Sequence, residues 1–264
     1  MIQKTEVRNT GSAPEKFDST VALHYSSERS SGVGAPPRMQ IIPASDSSLL
    51  IVFGDAMSSE IQRQVLGMFH ALQARQDVRI RNLHPGYVSL LVDFDPLDTT
   101  HEDVAEIIAI AAPRESASHH YERSLVEIPV CYDTEFGPDL QNVATHTKLP
   151  AEDVVRLHAG ATYDVVFLGF TAGFAYLGGM PEILSTPRLA TPRRAVAAGS
   201  VGIAGGQTGI YPTVTPGGWR LIGRTPLRMF DPRASQPTLV VPGDQLRFVP
   251  IDRGEFERLL QERG

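Results

Sequence analysis

The chain is poor in the residues that most often carry chemistry. A single cysteine, Cys131, in 264 residues excludes an intramolecular disulfide framework and every zinc module built on several thiolates. Only three lysines occur, Lys4, Lys16 and Lys148, so the C-terminal half holds no Schiff-base or phosphate-loop lysine. The last of the eight histidines is His158. Long apolar runs are also missing: the longest, Leu49–Phe53 and Ile107–Ala112, are far too short to span a bilayer. With 24 Lys+Arg against 30 Asp+Glu, the net charge of -6 gives no bulk attraction for nucleic acid or anionic membrane. A soluble, cytoplasmic protein with neither partner is expected.

What is abundant is glycine, and it is unevenly placed. Thirteen of the 23 glycines fall between Gly160 and Pro232, where carboxylates are scarce. Between Gly160 and Pro250 only Asp164, Glu182, Asp231 and Asp244 are acidic, so a metal site or a self-contained catalytic triad is not expected there. Any chemistry in this stretch must use arginines, hydroxyls, amides or backbone N–H groups.

The hydrophobic pattern predicts an α+β protein in two parts. Residues 1–39 read as a solvated tail. From 40 to 121 the order is strand (Leu49–Phe53), helix (Ile61, Val65, Met68, Phe69 and Leu72 inward), two strands (Val78–Leu83, Tyr87–Phe94), then a helix from Thr100. Leu125–Val130 either completes a ferredoxin-like α/β unit as its last strand or opens the next domain. Neighbouring His119 and His120 read as solvated. The second domain, 122–255, starts with a helical pair near 138–159. It continues as short strands punctuated by Gly and Pro (Tyr163–Leu168, Ser200–Ala204, Trp219–Ile222, Thr238–Val241, Gln245–Val249), which indicates an antiparallel barrel or sandwich. Residues 256–264 read as a C-terminal tail.

Gly202-Ile-Ala-Gly-Gly-Gln-Thr-Gly209 has the glycines to approach an anion but lacks the Lys-Ser/Thr of a phosphate loop and the dinucleotide spacing. Ala198-Gly-Ser-Val-Gly202 lacks the first glycine of a nucleophile elbow. Taken together, however, these segments with Tyr211 and Pro216-Gly-Gly-Trp219 crowd polar groups onto loops of a rigid scaffold, where binding residues concentrate. Arg193 and Arg224 can each grip a carboxylate or phosphate, and each can equally serve in a surface ion pair.

Several long segments carry a family resemblance: Gly169-Phe-Thr-Ala-Gly-Phe-Ala-Tyr-Leu-Gly-Gly179, Thr191-Pro-Arg193, Ala198 to Pro212, Thr215 to Trp219, Leu221 to Pro226 and Phe230-Asp-Pro232. With Cys131-Tyr-Asp133 and Arg156-Leu-His158, they make the chain resemble the family of the 5-oxoprolinase B subunit. That family is also called allophanate hydrolase subunit 1 and includes a sporulation-kinase inhibitor. Ala172 and Ala175 stand where the family usually has proline.

The resemblance implies an N-terminal α+β domain joined to a cyclophilin-like β-barrel. It further implies ATP-dependent opening of 5-oxoproline to glutamate with separate A and C subunits, the subunit that binds ATP being undetermined. The expected pocket consists of Gly205, Gly206, Gln207, Thr208 and Tyr211, with Gly217 and Gly218 nearby and Arg193 or Arg224 on an anionic group. His158 is either a general base or a histidine hydrogen-bonded at a helix C-terminus. The alternatives are a binding module that inhibits a histidine kinase, and a part of an allophanate hydrolase or urea carboxylase system.

Overall fold

The computed structural model describes residues 39–112 and 124–262. His119, His120 and nearly all of the expected N-terminal tail lie outside them.

The first part is a hairpin of β1 (Gln40–Ser45) and β2 (Ser48–Val52), helix α1 (Ser59–Arg75), a second hairpin of β3 (Ile80–Pro85) and β4 (Ser89–Phe94), and helix α2 (His101–Ala111). The Ser58 hydroxyl caps α1 by accepting from Ile61 N–H at 3.1 Å. Thr100 and Asp103 form a reciprocal capping box at the start of α2. Both helices turn their apolar stripes onto one face of the sheet, so Leu49, Ile51, Leu90, Val92, Met68 and Ile108 form a single buried cluster.

The strands are antiparallel in the order β1-β2-β4-β3, and here the ferredoxin-like expectation fails. The place beside β2 is taken by β1, and the segment Leu125–Val130 joins the other sheet. Only Ile41 is buried in β1, so this edge strand has no alternating signature to read.

The second part comprises β5 (Leu125–Val130), α3 (Leu140–Thr147), α4 (Ala151–Gly160), β6 (Thr162–Leu168), β7 (Ala175–Gly178), a 3-10 turn at Glu182–Leu184, β8 (Arg193–Val196), β9 (Ser200–Ala204), β10 (Gln207–Ile210), β11 (Thr215–Gly217), β12 (Arg220–Arg224), β13 (Gln245–Pro250) and α5 (Arg253–Gln261). Seven strands form one sheet in the order β12-β9-β10-β7-β6-β13-β5. All of its pairings are antiparallel except β13 with β5. Short strands β8 and β11 pair separately.

The two edges of the sheet, β12 and β5, nearly meet. Cys131, just after β5, exchanges two backbone hydrogen bonds of 2.9 Å with Arg224 at the end of β12, closing a barrel-like seam. The seam requires glycine. A Cβ on Gly223 would sit 2.7 Å from Val130, and one on Gly137 would sit 2.2 Å from the Ile222 carbonyl oxygen. Inside are Ile128, Val130, Val165, Leu177, Val201, Ile203, Ile222 and Phe248, all buried.

Two further expectations change. Thr238–Val241 is no strand; it contributes one isolated bridge, Thr238 to Phe230. Residues 253–261, expected to fall largely in a tail, form α5. The Asp252 side chain caps it and Phe256 packs its ring 4.4 Å from that of Phe136. Its Arg-Glu pairs and lone buried aromatic give too narrow an apolar stripe to stand out in sequence.

Candidate functional site

The expected site residues separate into three places. Gly205, Gly206 and Gln207 line one cavity, Arg224 lines another, and His158, Thr208 and Tyr211 are buried in the interior.

His158 projects from the last turn of α4 into the barrel core with no exposed surface. Its Nδ1 is 2.9 Å from the Tyr132 hydroxyl and its Nε2 is 3.0 Å from Thr208 Oγ1. Thr208 already donates its proton to the Gly202 carbonyl at 3.0 Å, so it must accept from His158. That fixes the proton on Nε2, with Tyr132 donating to Nδ1. Phe248 stacks on the ring at 4.4 Å. Neither nitrogen is open to a substrate, so of the two roles expected for His158 the general base does not fit, whereas the hydrogen-bonded histidine in the last turn of a helix does; the same network commits Thr208.

Burial drives the His158 pKa down to about 3, so the folded protein holds it neutral. An unfolded chain takes up that proton below the ordinary value of about 6.5. Stability from this group is therefore full above pH 6.5 and falls as pH drops toward 3, by about 1.4 kcal/mol per pH unit. Urea titrations at pH 7 and pH 5 should show wild type losing about 2 kcal/mol more than His158→Gln does. Equal losses would contradict the buried neutral histidine.

Arg193 is also committed. Its Nη2 donates to Asp139 Oδ1 at 2.8 Å, while Asp139 Oδ2 accepts the Leu221 N–H at 2.7 Å. Asp139 is buried, so the pair ties the start of α3 to β8 and β12 and leaves no fork for a ligand. Tyr211 is buried, and burial raises its pKa. Gly217 packs against the Tyr211 ring and Gly218 against Pro192, so these glycines permit close packing and do not line either cavity.

The remaining trio forms the better site. Gly205 and Gly206 make the two-residue turn between β9 and β10, Gly205 at φ 57°. Space above both is open, and nothing lies within 4 Å of where either Cβ would be. They border a cavity of about 490 Å³ with Gln207, Ala204, Pro187, Arg188 and Met57. The Gln207 amide donates to the Tyr87 hydroxyl, leaving its carbonyl oxygen for a ligand.

Two residues of this site, Tyr87 and Arg188, are not among those the sequence points to. Tyr87 follows the His-Pro-Gly turn between β3 and β4 and reaches across to the barrel, with its ring edge-on to Phe167 at 4.7 Å and 6.2 Å from Tyr176. Burial raises its pKa, and Tyr176 adds to this while Arg188 partly offsets it. The Arg188 guanidinium sits 6.0 Å from the centre of the Trp219 ring and has no ion pair among the described residues. A sequence signal for it exists, because Thr-Pro-Arg occurs twice, at 186–188 and 191–193, although only the second copy belongs to the segments of family resemblance.

The site thus offers one uncommitted cation, a carboxamide oxygen, and glycine backbone that a ligand can approach. Among the described residues its lining has no carboxylate, histidine or lysine, and no cluster of His, Cys, Asp and Glu can hold a metal. No helix among the described residues is long and apolar enough to cross a membrane.

Comparison with known proteins identifies the family of the chain. Residues 39–240 match the family model "Carboxyltransferase domain, subdomain C and D". The B subunit of 5-oxoprolinase from Bacillus subtilis is 40% identical over 243 residues, covering 85% of this chain and 98% of that protein. The crystal structure of TTHA0988 superposes with a TM-score of 0.70 at 36% identity over 78% of this chain, which spans 40% of that longer chain. The K. lactis urea amidolyase shares the fold at 20% identity and a TM-score of 0.67, over 86% of this chain and 16% of its own. The chain therefore belongs to the carboxyltransferase subdomain C and D family and, within it, to the 5-oxoprolinase B subunits.

Proposed function

We propose that this chain is the B subunit of an ATP-dependent 5-oxoprolinase, and that the Gly205–Gln207 cavity is its share of the substrate site. The observation that carries the reading is the nearly full-length match to the Bacillus subtilis protein of that name, joined to a cavity whose groups suit the substrate. 5-Oxoproline is a five-membered lactam bearing one carboxylate. Arg188 provides the complementary fork for the carboxylate, and the Gln207 carbonyl oxygen accepts the lactam N–H. Glycine at 205 and 206 lets the ring approach the backbone without steric conflict.

Opening the ring adds water across a stable amide bond. ATP, when bound, supplies the activation of the carbonyl oxygen. The cavity does not itself fit a nucleoside triphosphate: it sets a single guanidinium against a multiply charged chain and has no carboxylate for the accompanying divalent ion. Nucleotide binding is accordingly assigned to the A and C partners, and this chain binds and orients the lactam. The absence of any titratable base among the described lining residues fits a subunit inactive alone.

The test is ATP-dependent glutamate release from 5-oxoproline by this chain mixed with A and C subunits, each omitted in turn. Activity only with all three supports the reading. Full activity without this chain, or none in any mixture, contradicts it.

A further inference from the structure

A second cavity, of about 470 Å³, lies between the barrel seam and α5 and shares no lining residue with the first. Its apolar walls include Pro212, Leu227, Phe230 and, from α5, Phe256 and Leu260. Among them is Arg224, half-buried at the end of β12.

Arg224 is held at two points. Its backbone closes the seam with Cys131, and its Nε donates to the Ala198 carbonyl at 2.8 Å. The terminal guanidinium nitrogens make no hydrogen bond or ion pair among the described residues. Among the described residues no carboxylate lines the cavity, and the other described cation there, Arg228, already pairs with Asp231 at 3.0 Å. A guanidinium partly withdrawn from water into apolar walls has lost hydration without gaining a counter-charge among the described residues.

We propose that this cavity binds a small organic carboxylate with a short apolar body. Arg224 supplies the bidentate counter-charge, while Phe230, Phe256 and Leu260 cover the apolar part. A single free fork matches one carboxylate. A phosphate group, with more charge and more acceptor oxygens, would leave several unmet among Pro, Leu and Phe. Binding also covers Leu260, which is 52% exposed. The site is separate from the substrate cavity and does not depend on its assignment.

The experiment is calorimetric titration of the full chain with 4-methylpentanoate and with 4-methylpentanamide, followed in parallel by the methyl NMR signals of Leu227 and Leu260. The acid should saturate and shift both signals, and the uncharged amide should bind about 10- to 100-fold more weakly. Arg224→Met should abolish the difference between them. Because Arg224 also belongs to the seam, Leu260→Glu serves as a second variant on the exposed face of α5. Its added carboxylate should repel the acid and weaken it at least about tenfold. Equal affinity for acid and amide, acid binding that survives both substitutions, or no saturation by about 10 mM would each overturn the proposal.

Discussion

Arg188→Met in the reconstituted enzyme should raise the KM for 5-oxoproline by about 10- to 100-fold, the range expected when a charge-assisted bidentate contact is removed. The guanidinium is available for that contact because nothing among the described residues neutralises it; its near neighbours are the Trp219 ring and phenols. Its field lowers the pKa of Tyr87, Tyr176 and Tyr211 against the larger upward effect of burial. The complementary deletion is in the substrate. With 2-pyrrolidinone, the same lactam without its carboxylate, wild type and Arg188→Met should turn over at similar, low rates. A loss of the same size on both substrates would place Arg188 in folding or assembly instead.

The second large effect is on stability. Asp139→Ala should cost about 2–4 kcal/mol, read as a shift in the urea midpoint at constant m. Two partners are orphaned at once: the Arg193 guanidinium, whose side chain is only 29% exposed, and the Leu221 N–H. Asp139 is 5% exposed and no cap for α3 in the ordinary sense, since its side chain serves the barrel strands and not the helix N–H groups. Adding Arg193→Met to Asp139→Ala should cost less than the sum of the single changes, because the charge left unpaired is then gone. Strict additivity would show that the pair is not coupled.

These two arginines show where sequence reading succeeds and where it stops. Thr-Pro-Arg at 186–188 and at 191–193 are identical locally, yet the first faces a cavity and the second is locked by a carboxylate 54 positions away. Only tertiary contact distinguishes them. The Gly205-Gly206-Gln207 turn is legible because two adjacent glycines before an amide have few other uses between strands. Tyr87 is not, because its partners Phe167, Tyr176 and Gln207 come from the other sheet.

The same division runs through the fold. Helices α1 and α2 carry helical-period apolar stripes and side-chain caps, and both are readable. Strands β7 and β10 are four residues each and hold the small residues Ala175, Gly178 and Gly209, so they lack a side-chain pattern. Gly209 is small because Phe174 and the Ala175 carbonyl pass within about 3 Å of where a Cβ would be. His158 is the ambiguous residue. As the last histidine before a glycine-rich half it reads equally as a base or as a hydrogen-bonded residue at a helix end, and only the core contacts to Tyr132 and Thr208 decide for the second.

The claim that the Gly205–Gln207 cavity handles the lactam is tested most directly at Gln207. Its side chain is half-buried and its removal opens no core cavity, so Gln207→Ala should fold and lose only the hydrogen bond to Tyr87, about 1 kcal/mol. Glutamate release from 5-oxoproline and ATP by the assembled variant should then be abolished. Turnover equal to wild type would contradict the assignment of this cavity to the substrate.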